Sequence, residues 1–316
     1  MIKRPLIILT GPTAVGKTEL SIALAKAVNG EIISADSMQV YKEMDIGTAK
    51  ITPQEMMGIP HYLVDEIEPY EDFNVSRFQH LTKQYMEQIY AKNKIPILVG
   101  GTGFYIQSIL YAIEFTKNPN DMTYRSELEA LAAEKGGEYL YHKLKEVDLE
   151  AALAIHQNNV KKVIRALEYY QQTGEKISEH NKEQAKKESP YNFAYFVLND
   201  VRENLYQRIE KRIELMMENG LLQEVQRLKE KGYTREMVSM QGLGYKEILA
   251  YLDGEITLEE AIYILKRDTR HFAKRQLTWF KRENDVIWIQ KNEFQYQNEM
   301  ILENMLDILK HKEITS

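Results

Sequence analysis

The stretch PLIILTGPTAVGKTEL, residues 5–20, decides the fold. Pro5 to Leu9 is an apolar run of strand length. Gly11 to Thr18 then matches G-x-x-x-x-G-K-[ST], and a helical pattern follows with Leu20, Leu24 and Ala27 or Val28 on one face. Strand, glycine turn and helix in that order build a phosphate-binding loop (P-loop). Gly11 and Gly16 let the backbone turn tightly enough for N–H groups to converge on an anion, and the helix adds its positive end. Gly11, Pro12, Thr13, Ala14, Val15, Gly16, Lys17 and Thr18 are therefore expected to hold phosphate, with Lys17 reaching a terminal phosphate and the Thr18 hydroxyl placed for Mg²⁺. The motif does not specify which phosphate compound is held.

Outward from the loop, short apolar strands alternate with helical patterns. Glu31 to Ser34 reads as a second strand, Phe78 to Tyr90 as a helix and Ile95 to Val99 as a third strand. The third strand runs into Gly100, Gly101, Thr102 and Gly103, a second glycine-rich turn opening a helix with Phe104, Ile106, Ile109 and Leu110. This is the rhythm of an α/β fold with a parallel sheet. From Lys117 to about Pro190 the strand signal disappears, and Leu128, Leu131, Leu140, Leu144, Val163 and Leu167 recur at helical spacing among charges. The chain thus divides into a core of residues 1–116 and 191–316 and a helical insertion of residues 117–190. Tyr195 to Leu198 is a further strand, followed by helical patterns from Asn204 to Lys231 and from Leu258 to Glu283. Gly220 and Gly232 are helix stops, and the polar stretch from Glu175 to Ser189 reads as a return linker.

Composition excludes several classes. With 316 residues, 44% hydrophobic and 28% charged, the chain supports one large core or two modest ones and is not disordered. The absence of cysteine rules out disulfides and thiolate zinc sites and fits a reducing cytoplasm. There is no run of 18 apolar residues, and the apolar start leads straight into the glycine loop without a cleavage site, so neither a membrane span nor a signal peptide is expected. A net charge of −6 gives no global attraction to nucleic acid, which leaves local patches. His61, in GIPHYLVD, has no second ligand at metal spacing and reads as a packed or hydrogen-bonded histidine.

P-loop nucleotide hydrolases normally place an aspartate at the end of a second apolar strand to hold the magnesium shell. Here the third strand ends in glycines, and the comparable acid is Asp200, beyond the insertion. Asp36, in ISADSMQVY, lies instead at the carboxyl end of the second strand, where open α/β sheets bind ligands. From spacing alone it serves equally well as a turn cap beside Ser37.

GPTAVGKT, ADSMQVYKEMDIGTAK (35–50), GGTGFY (100–105), KKVIRALE (161–168), GLGYKEI (242–248) and RHFAKRQLTWF (270–280) together resemble the bacterial tRNA dimethylallyltransferases, the tRNA isopentenyltransferase family. The resemblance implies a nucleotide-kinase-like core with a tRNA-gripping helical insertion. The implied activity is transfer of a dimethylallyl group from its diphosphate to the exocyclic amine of the adenosine 3′ of the anticodon. It implies the P-loop, with Arg202 from the far side, for the diphosphate. Thr10 and Asp36 would lie at the reacting groups, and Asp36, Ser37, Met38, Gln39, Thr102, Arg125, Lys161, Lys162 and Arg165 would contact the tRNA. At Lys161 and Lys162 the family usually has arginine, so the charge is kept while two-pronged hydrogen bonding is lost. Mg²⁺, a cytoplasmic location and a monomer are expected. Asp36 is the candidate base for the amine proton, and the target base must leave the anticodon stack to be reached.

Charge patterning adds to this reading. The insertion carries 12 Lys or Arg against 13 Asp or Glu, whereas residues 261–284 carry seven Lys or Arg against two acids. The second stretch is suited to an RNA backbone, with Ile264, Phe272, Leu277, Trp279 and Phe280 packing it on the core. The alternatives are a small-molecule or nucleotide kinase, an enzyme prenylating free adenine nucleotides, and a non-catalytic RNA-binding protein. The helical insertion and the missing strand-end aspartate disfavour the kinase, the insertion and the basic terminal helix disfavour the free-nucleotide enzyme, and the joint presence of Lys17, Thr18 and Asp36 disfavours the third.

Overall fold

The apolar run that opens the chain forms strand β1 (Arg4–Thr10), in which Leu6, Ile7, Ile8 and Leu9 are completely buried. A run hydrophobic on both faces belongs in the middle of a parallel sheet with both faces covered, and β1 lies there. The structure is a computed structural model describing residues 3–115, 123–185 and 187–315. It divides into two units, Met1–Leu110 with Pro190–Ser316, and Tyr111–Ser189.

After β1 the first unit continues through α1 (Lys17–Ala27), β2 (Gly30–Ser34), a two-residue β3 (His61–Tyr62), α2 (Val75–Ala91), β4 (Ile95–Gly100) and α3 (Gly103–Leu110). The second unit is helical: α4 (Thr123–Lys135), α5 (Gly137–Val147), α6 (Leu149–Ala154), α7 (Val160–Thr173) and α8 (Ile177–Ala185). The chain then returns to the first unit with β5 (Tyr191–Asn199), α9 (Arg202–Glu218), α10 (Leu221–Glu230), α11 (Tyr245–Leu252), α12 (Leu258–Phe280), β6 (Val286–Gln290) and α13 (Asn298–His311).

Among the described residues the sheet runs β3-β2-β4-β1-β5-β6 with every pair parallel. Thr10 is level with Gly100 on one side and Val197 on the other, so β4, β1 and β5 deliver their exits to one edge. Two glycines permit this convergence. A Cβ on Gly11, whose φ is 147°, would lie 2.2 Å from the Leu198 carbonyl oxygen, and one on Gly100 would lie 2.2 Å from that of Ala35. The turns after β1, β2 and β4 therefore close on one another only because side chains are absent there.

The α/β class and all four strands read from the sequence are present. Three features differ from the sequence reading. The apolar run VIWIQ forms β6 as a parallel neighbour of β5, a strand not anticipated because it directly follows a long basic helix. Beyond the expected stop at Gly220, which adopts φ 99° and opens α10, residues Tyr245–Leu252 form α11, a helix not anticipated. The stretch from Glu175 to Ser189 is not simply a linker, because α8 lies inside it.

The second unit has a core of its own, with Leu128, Leu140, Leu144, Ala152, Val163 and Leu167 buried together. Asp148 organises one end: its Oδ1 accepts from the Ala151 N–H that opens α6, and its Oδ2 accepts from Ser178 N–H in α8, each at 2.9 Å. Gly174, in the left-handed region, terminates α7, its N–H donating to Tyr170 O at 2.8 Å. Lys117, where the insertion was expected to begin, is outside the described residues.

Candidate active site

The phosphate loop links β1 to α1, and four of its carbonyls are engaged by cationic side chains. Lys17 Nζ donates to Gly11 O and Pro12 O, each at 2.9 Å. Arg208 Nε donates to Ala14 O at 2.8 Å, and Lys291 Nζ to Val15 O at 3.4 Å. The loop amides divide into two groups. Thr13 N–H donates to Gln276 Oε1 at 2.9 Å and Val15 N–H to Pro12 O at 3.4 Å. Gly16, Lys17 and Thr18 open α1, where N–H groups have no acceptor within the helix and no side chain caps them. Thr13 N–H is thus already committed to Gln276, while the amides that open α1 are not held by a side chain. Thr18, in the first turn of α1, is exposed.

Three cations that the sequence reading missed surround this loop. Arg208 and Arg212 are one helical turn apart on α9, and Lys291 follows β6. None of them, nor Lys17, forms an ion pair with a carboxylate among the described residues. Burial, followed by repulsion from Arg212, pushes the Lys17 ammonium down to about 7, while Asp36 pulls it the other way. Lys291 is only 5% exposed and is also pushed down, by burial and then by Arg208. Crowded, unneutralised positive charge at a helix N-terminus favours a multiply charged anion. The i, i+4 arginines in QRIEKRI were the available signal, but that spacing on a helix ordinarily marks a solvated face. The packing of α9 against the loop is what sets them apart. Arg208 touches the loop, whereas Arg202 is exposed at the start of α9, with its guanidinium 5.1 Å from the Tyr206 ring centroid.

Asp36 leaves the end of β2 on the same edge. Its Oδ1 accepts from Met38 N at 2.8 Å and Gln39 N at 3.3 Å, so the turn-capping reading holds. Its charge also acts on Lys17 and Arg212, which places it in the field of the phosphate loop. Oδ1 holds the turn, and Oδ2 accepts no hydrogen bond from the described residues. Thr10 is fully buried, and its hydroxyl donates to Gly100 O at 2.6 Å, bracing the first glycine turn against the second. Gln39 is engaged by its own segment, accepting from Ser34 Oγ at 3.3 Å and donating to Thr48 O and Ala49 O. Ser37 and Met38 are half-buried, with Met38 against Gly242.

The segment after Asp36 is anchored by a buried carboxylate that sequence reading did not single out. Glu224, on α10, accepts from the N–H groups of Asp45, Ile46 and Gly47 at 3.0, 2.8 and 3.1 Å and from Tyr245 Oη at 2.6 Å. The DIGT and GLGYKEI motifs therefore meet in one hydrogen-bonded knot. Thr102 N–H donates to Ala35 O at 3.2 Å, joining the second glycine turn to the strand end that carries Asp36. His61 Nδ1 lies 2.8 Å from Ile59 O and is held low by burial, a hydrogen-bonded histidine.

The basic stretch on α12 separates into two halves. Lys266 and Arg270 pair with Glu214 and Glu210 of α9, and Arg267 with Asp268. Lys274, Arg275, Lys281 and Arg282 are exposed without a carboxylate partner among the described residues. Lys274, Arg275 and Arg282 line a cavity of about 290 Å³ beside Trp279. In the helical unit Lys161, Lys162 and Arg165 are exposed on α7, and Arg125 is held by Glu129 at 3.2 Å and Glu168 at 3.9 Å. No group of three or more His, Cys, Asp or Glu suited to a metal occurs among the described residues, and none of their helices is long and apolar enough to cross a membrane.

Comparison with known proteins gives a consistent result. A family model described as IPP transferase matches residues 39–283, and one described as isopentenyl transferase matches residues 5–68. The chain is 62% identical over 311 residues to the tRNA dimethylallyltransferase of Lachnoclostridium phytofermentans, covering 98% of this chain and 99% of that one. It is 53% identical to the tRNA dimethylallyltransferase of Acetivibrio thermocellus over 95% of each. Among solved structures it resembles the tRNA isopentenylpyrophosphate transferase of Bacillus halodurans, with a TM-score of 0.74, 44% identity and 98% coverage of both chains. It also resembles a eukaryotic dimethylallyltransferase acting on tRNA, with a TM-score of 0.81 and 34% identity over 91% of this chain and 74% of the other.

Proposed function

This chain belongs to the tRNA dimethylallyltransferase (IPP transferase) family, and on that premise we propose how its residues carry out the transfer. Dimethylallyl diphosphate is the donor and the exocyclic amine of the adenosine 3′-adjacent to the anticodon is the acceptor. The allylic carbon–oxygen bond breaks, a carbon–nitrogen bond forms, diphosphate leaves and the amine loses one proton. The observation that carries the reading is the group of cations Lys17, Arg208, Arg212 and Lys291 at the phosphate loop, without a carboxylate ion pair among the described residues, with Asp36 in the same field.

The division of labour follows from charge. Negative charge grows on the diphosphate as the carbon–oxygen bond breaks, and preorganised N–H and cationic donors oppose it. Charge-assisted hydrogen bonds contribute about 1.5–3 kcal/mol each, so several amount to much of a barrier reduction. Asp36 takes the amine proton through its second oxygen while the first keeps the turn closed. A carboxylate is a weak base, so it accepts the proton late in the transfer. A divalent cation suits this donor set, and we assign Mg²⁺. The Thr18 hydroxyl, diphosphate oxygens and water are hard oxygen ligands of the kind Mg²⁺ keeps, and it would help neutralise the leaving group. Residues 1–116 and 191–316 are taken as the catalytic core and residues 117–190 as the tRNA-binding insertion. Lys161, Lys162, Arg165 and Arg125 are its RNA contacts, and Lys274, Arg275, Lys281 and Arg282 are further backbone contacts. The enzyme is placed in the cytoplasm with its substrate.

The test is transfer of labelled dimethylallyl diphosphate to unmodified tRNA with adenosine beside the anticodon, in Mg²⁺. ATP with tRNA, and allyl diphosphate with AMP, are the controls. Label in tRNA supports the assignment. Label in AMP would make this a small-nucleotide prenyltransferase, and ATP consumption without transfer would make it a kinase.

A further inference from the structure

Gln276 belongs to the RQLTWF motif, and nothing in the chemistry above uses it. It lies on α12, is 7% exposed, and reaches two loops remote from it in sequence. Its Oε1 accepts from Thr13 N–H of the phosphate loop at 2.9 Å, and its Nε2 donates to Gly101 O of the second glycine turn at 2.9 Å. The amide orientation is determined by its partners: a backbone N–H only donates and a carbonyl only accepts, so oxygen faces Thr13 and nitrogen faces Gly101. The contact is close. A Cβ on Gly101 would sit 2.2 Å from Nε2. The turn carrying Thr102 is glycine at this position because the carboxamide fills the space.

We propose that Gln276 is a positioning residue that clasps the donor loop to the acceptor turn, so that the diphosphate cradle and the turn beside Asp36 are set as one unit. The inference rests on the transferase reading above. Three observations support it. First, the clasp explains why Thr13 N–H is withdrawn from the anion cradle: that amide holds the loop in place. Second, Gln276 directly follows Lys274 and Arg275, cations exposed on the same helix, so a polyanion drawing on α12 acts on both turns through one side chain. Third, glutamine suits the task chemically, because its carboxamide donates and accepts across one planar group. Glutamate has no donor, leucine has neither function, and asparagine falls short by a methylene.

The experiment compares wild-type protein with Q276L, Q276E and Q276N in the transfer assay. It measures kcat and KM for each substrate, and the affinity for inorganic diphosphate with and without an anticodon stem-loop RNA. Assays are run at a temperature where circular dichroism shows every variant folded. Expected for Q276L is a loss of roughly tenfold or more in kcat, with each KM moving less, since two hydrogen bonds that align the reactants are gone. Any effect of the RNA on diphosphate affinity in the wild type should fall to about onefold. Q276E keeps the bond from Thr13 but sets carboxylate oxygen against Gly101 O and adds negative charge near the diphosphate, so its diphosphate affinity should fall furthest. If Q276L does not fold, Q276E and Q276N carry the same comparison. Variants within about twofold of wild type in kcat and both KM values, or a loss that disappears on cooling, overturn the clasp. A wild-type protein that transfers nothing overturns the transferase reading instead, and the two failures are distinguishable.

Discussion

The proposed mechanism gives the Asp36 carboxylate two jobs, and one substitution separates them. Asp36→Asn retains an oxygen for the Met38 and Gln39 amides, so the turn stays closed, but it removes the base. The expected outcome is a kcat lower by roughly 10²- to 10⁴-fold with tRNA affinity little changed. A large loss of turnover in Asp36→Asn with unchanged melting, beside a lowered melting temperature in Asp36→Ala, would support this, whereas near-normal turnover in the asparagine variant would reduce Asp36 to a turn residue. Lys17 carries a pH signature. Its ammonium, pushed down to about 7 by burial and Arg212, is partly neutral in the free protein at neutral pH. A bound diphosphate favours the charged form, so binding takes up a proton and affinity weakens as pH rises above about 7. Calorimetry of inorganic diphosphate binding in two buffers of different ionisation enthalpy reads this directly. A buffer-independent heat at pH 7.5 would contradict it. Of these residues, Lys17 and Asp36 were readable from motif and strand-end position. Arg208, Arg212 and Lys291 were not, because a cation on a helix or after a strand looks solvated until packing turns it toward a loop.

Elements are held in register by buried carboxylates at both ends of the sheet. Glu31, at the start of β2 and 1% exposed, accepts from Lys92 Nζ at 2.9 Å, Lys94 Nζ at 2.8 Å and Tyr62 Oη at 2.7 Å. Burial pushes its carboxyl up, but the bonds from Lys94, Tyr62 and Lys92 outweigh this and hold it below the usual glutamate range. A depressed folded value means the stabilisation is present above the unfolded pKa and is lost as pH falls through the folded one. Glu31→Gln should therefore cost about 1–3 kcal/mol at neutral pH, with the difference from wild type closing on acidification, as denaturant melts across pH would reveal. Glu224 plays the corresponding part near the site. With three backbone N–H groups and the Tyr245 hydroxyl directed at it, Glu224→Gln turns an amide nitrogen toward donors. We expect about 2–4 kcal/mol of destabilisation and faster hydrogen exchange at residues 45–47. Helix boundaries were the more legible part of the sequence. Thr257 and Glu260 cap the start of α12 reciprocally, with Glu260 N donating to Thr257 Oγ1 at 3.2 Å and Thr257 N to Glu260 Oε2 at 2.8 Å, a local pattern visible in any TxxE.

At the scale of the whole molecule, two units with separate cores predict separable losses. Leu144 is completely buried in the helical unit, and Leu144→Ala should cost that unit about 2–5 kcal/mol. Transfer to tRNA should suffer while inorganic diphosphate binding by the first unit is retained; parallel loss of both would show the units to be one cooperative structure. What the sequence by itself determined was everything with a short-range cause. A glycine loop between strand and helix requires a parallel α/β sheet, period-3.6 leucines require a helical insertion, and a motif lysine requires an anion. What only the tertiary structure decided was which side chains meet. β6 was missed because it directly follows a long basic helix, and it becomes a strand by lying beside β5. Glu224 reaches residues 45–47, Arg208 reaches Ala14, and Gln276 reaches Thr13 and Gly101 across separations of 175 to 263 residues in the chain. Polar groups so far apart in sequence carry no local signature. Burial beside one another then obliges each donor to find an acceptor.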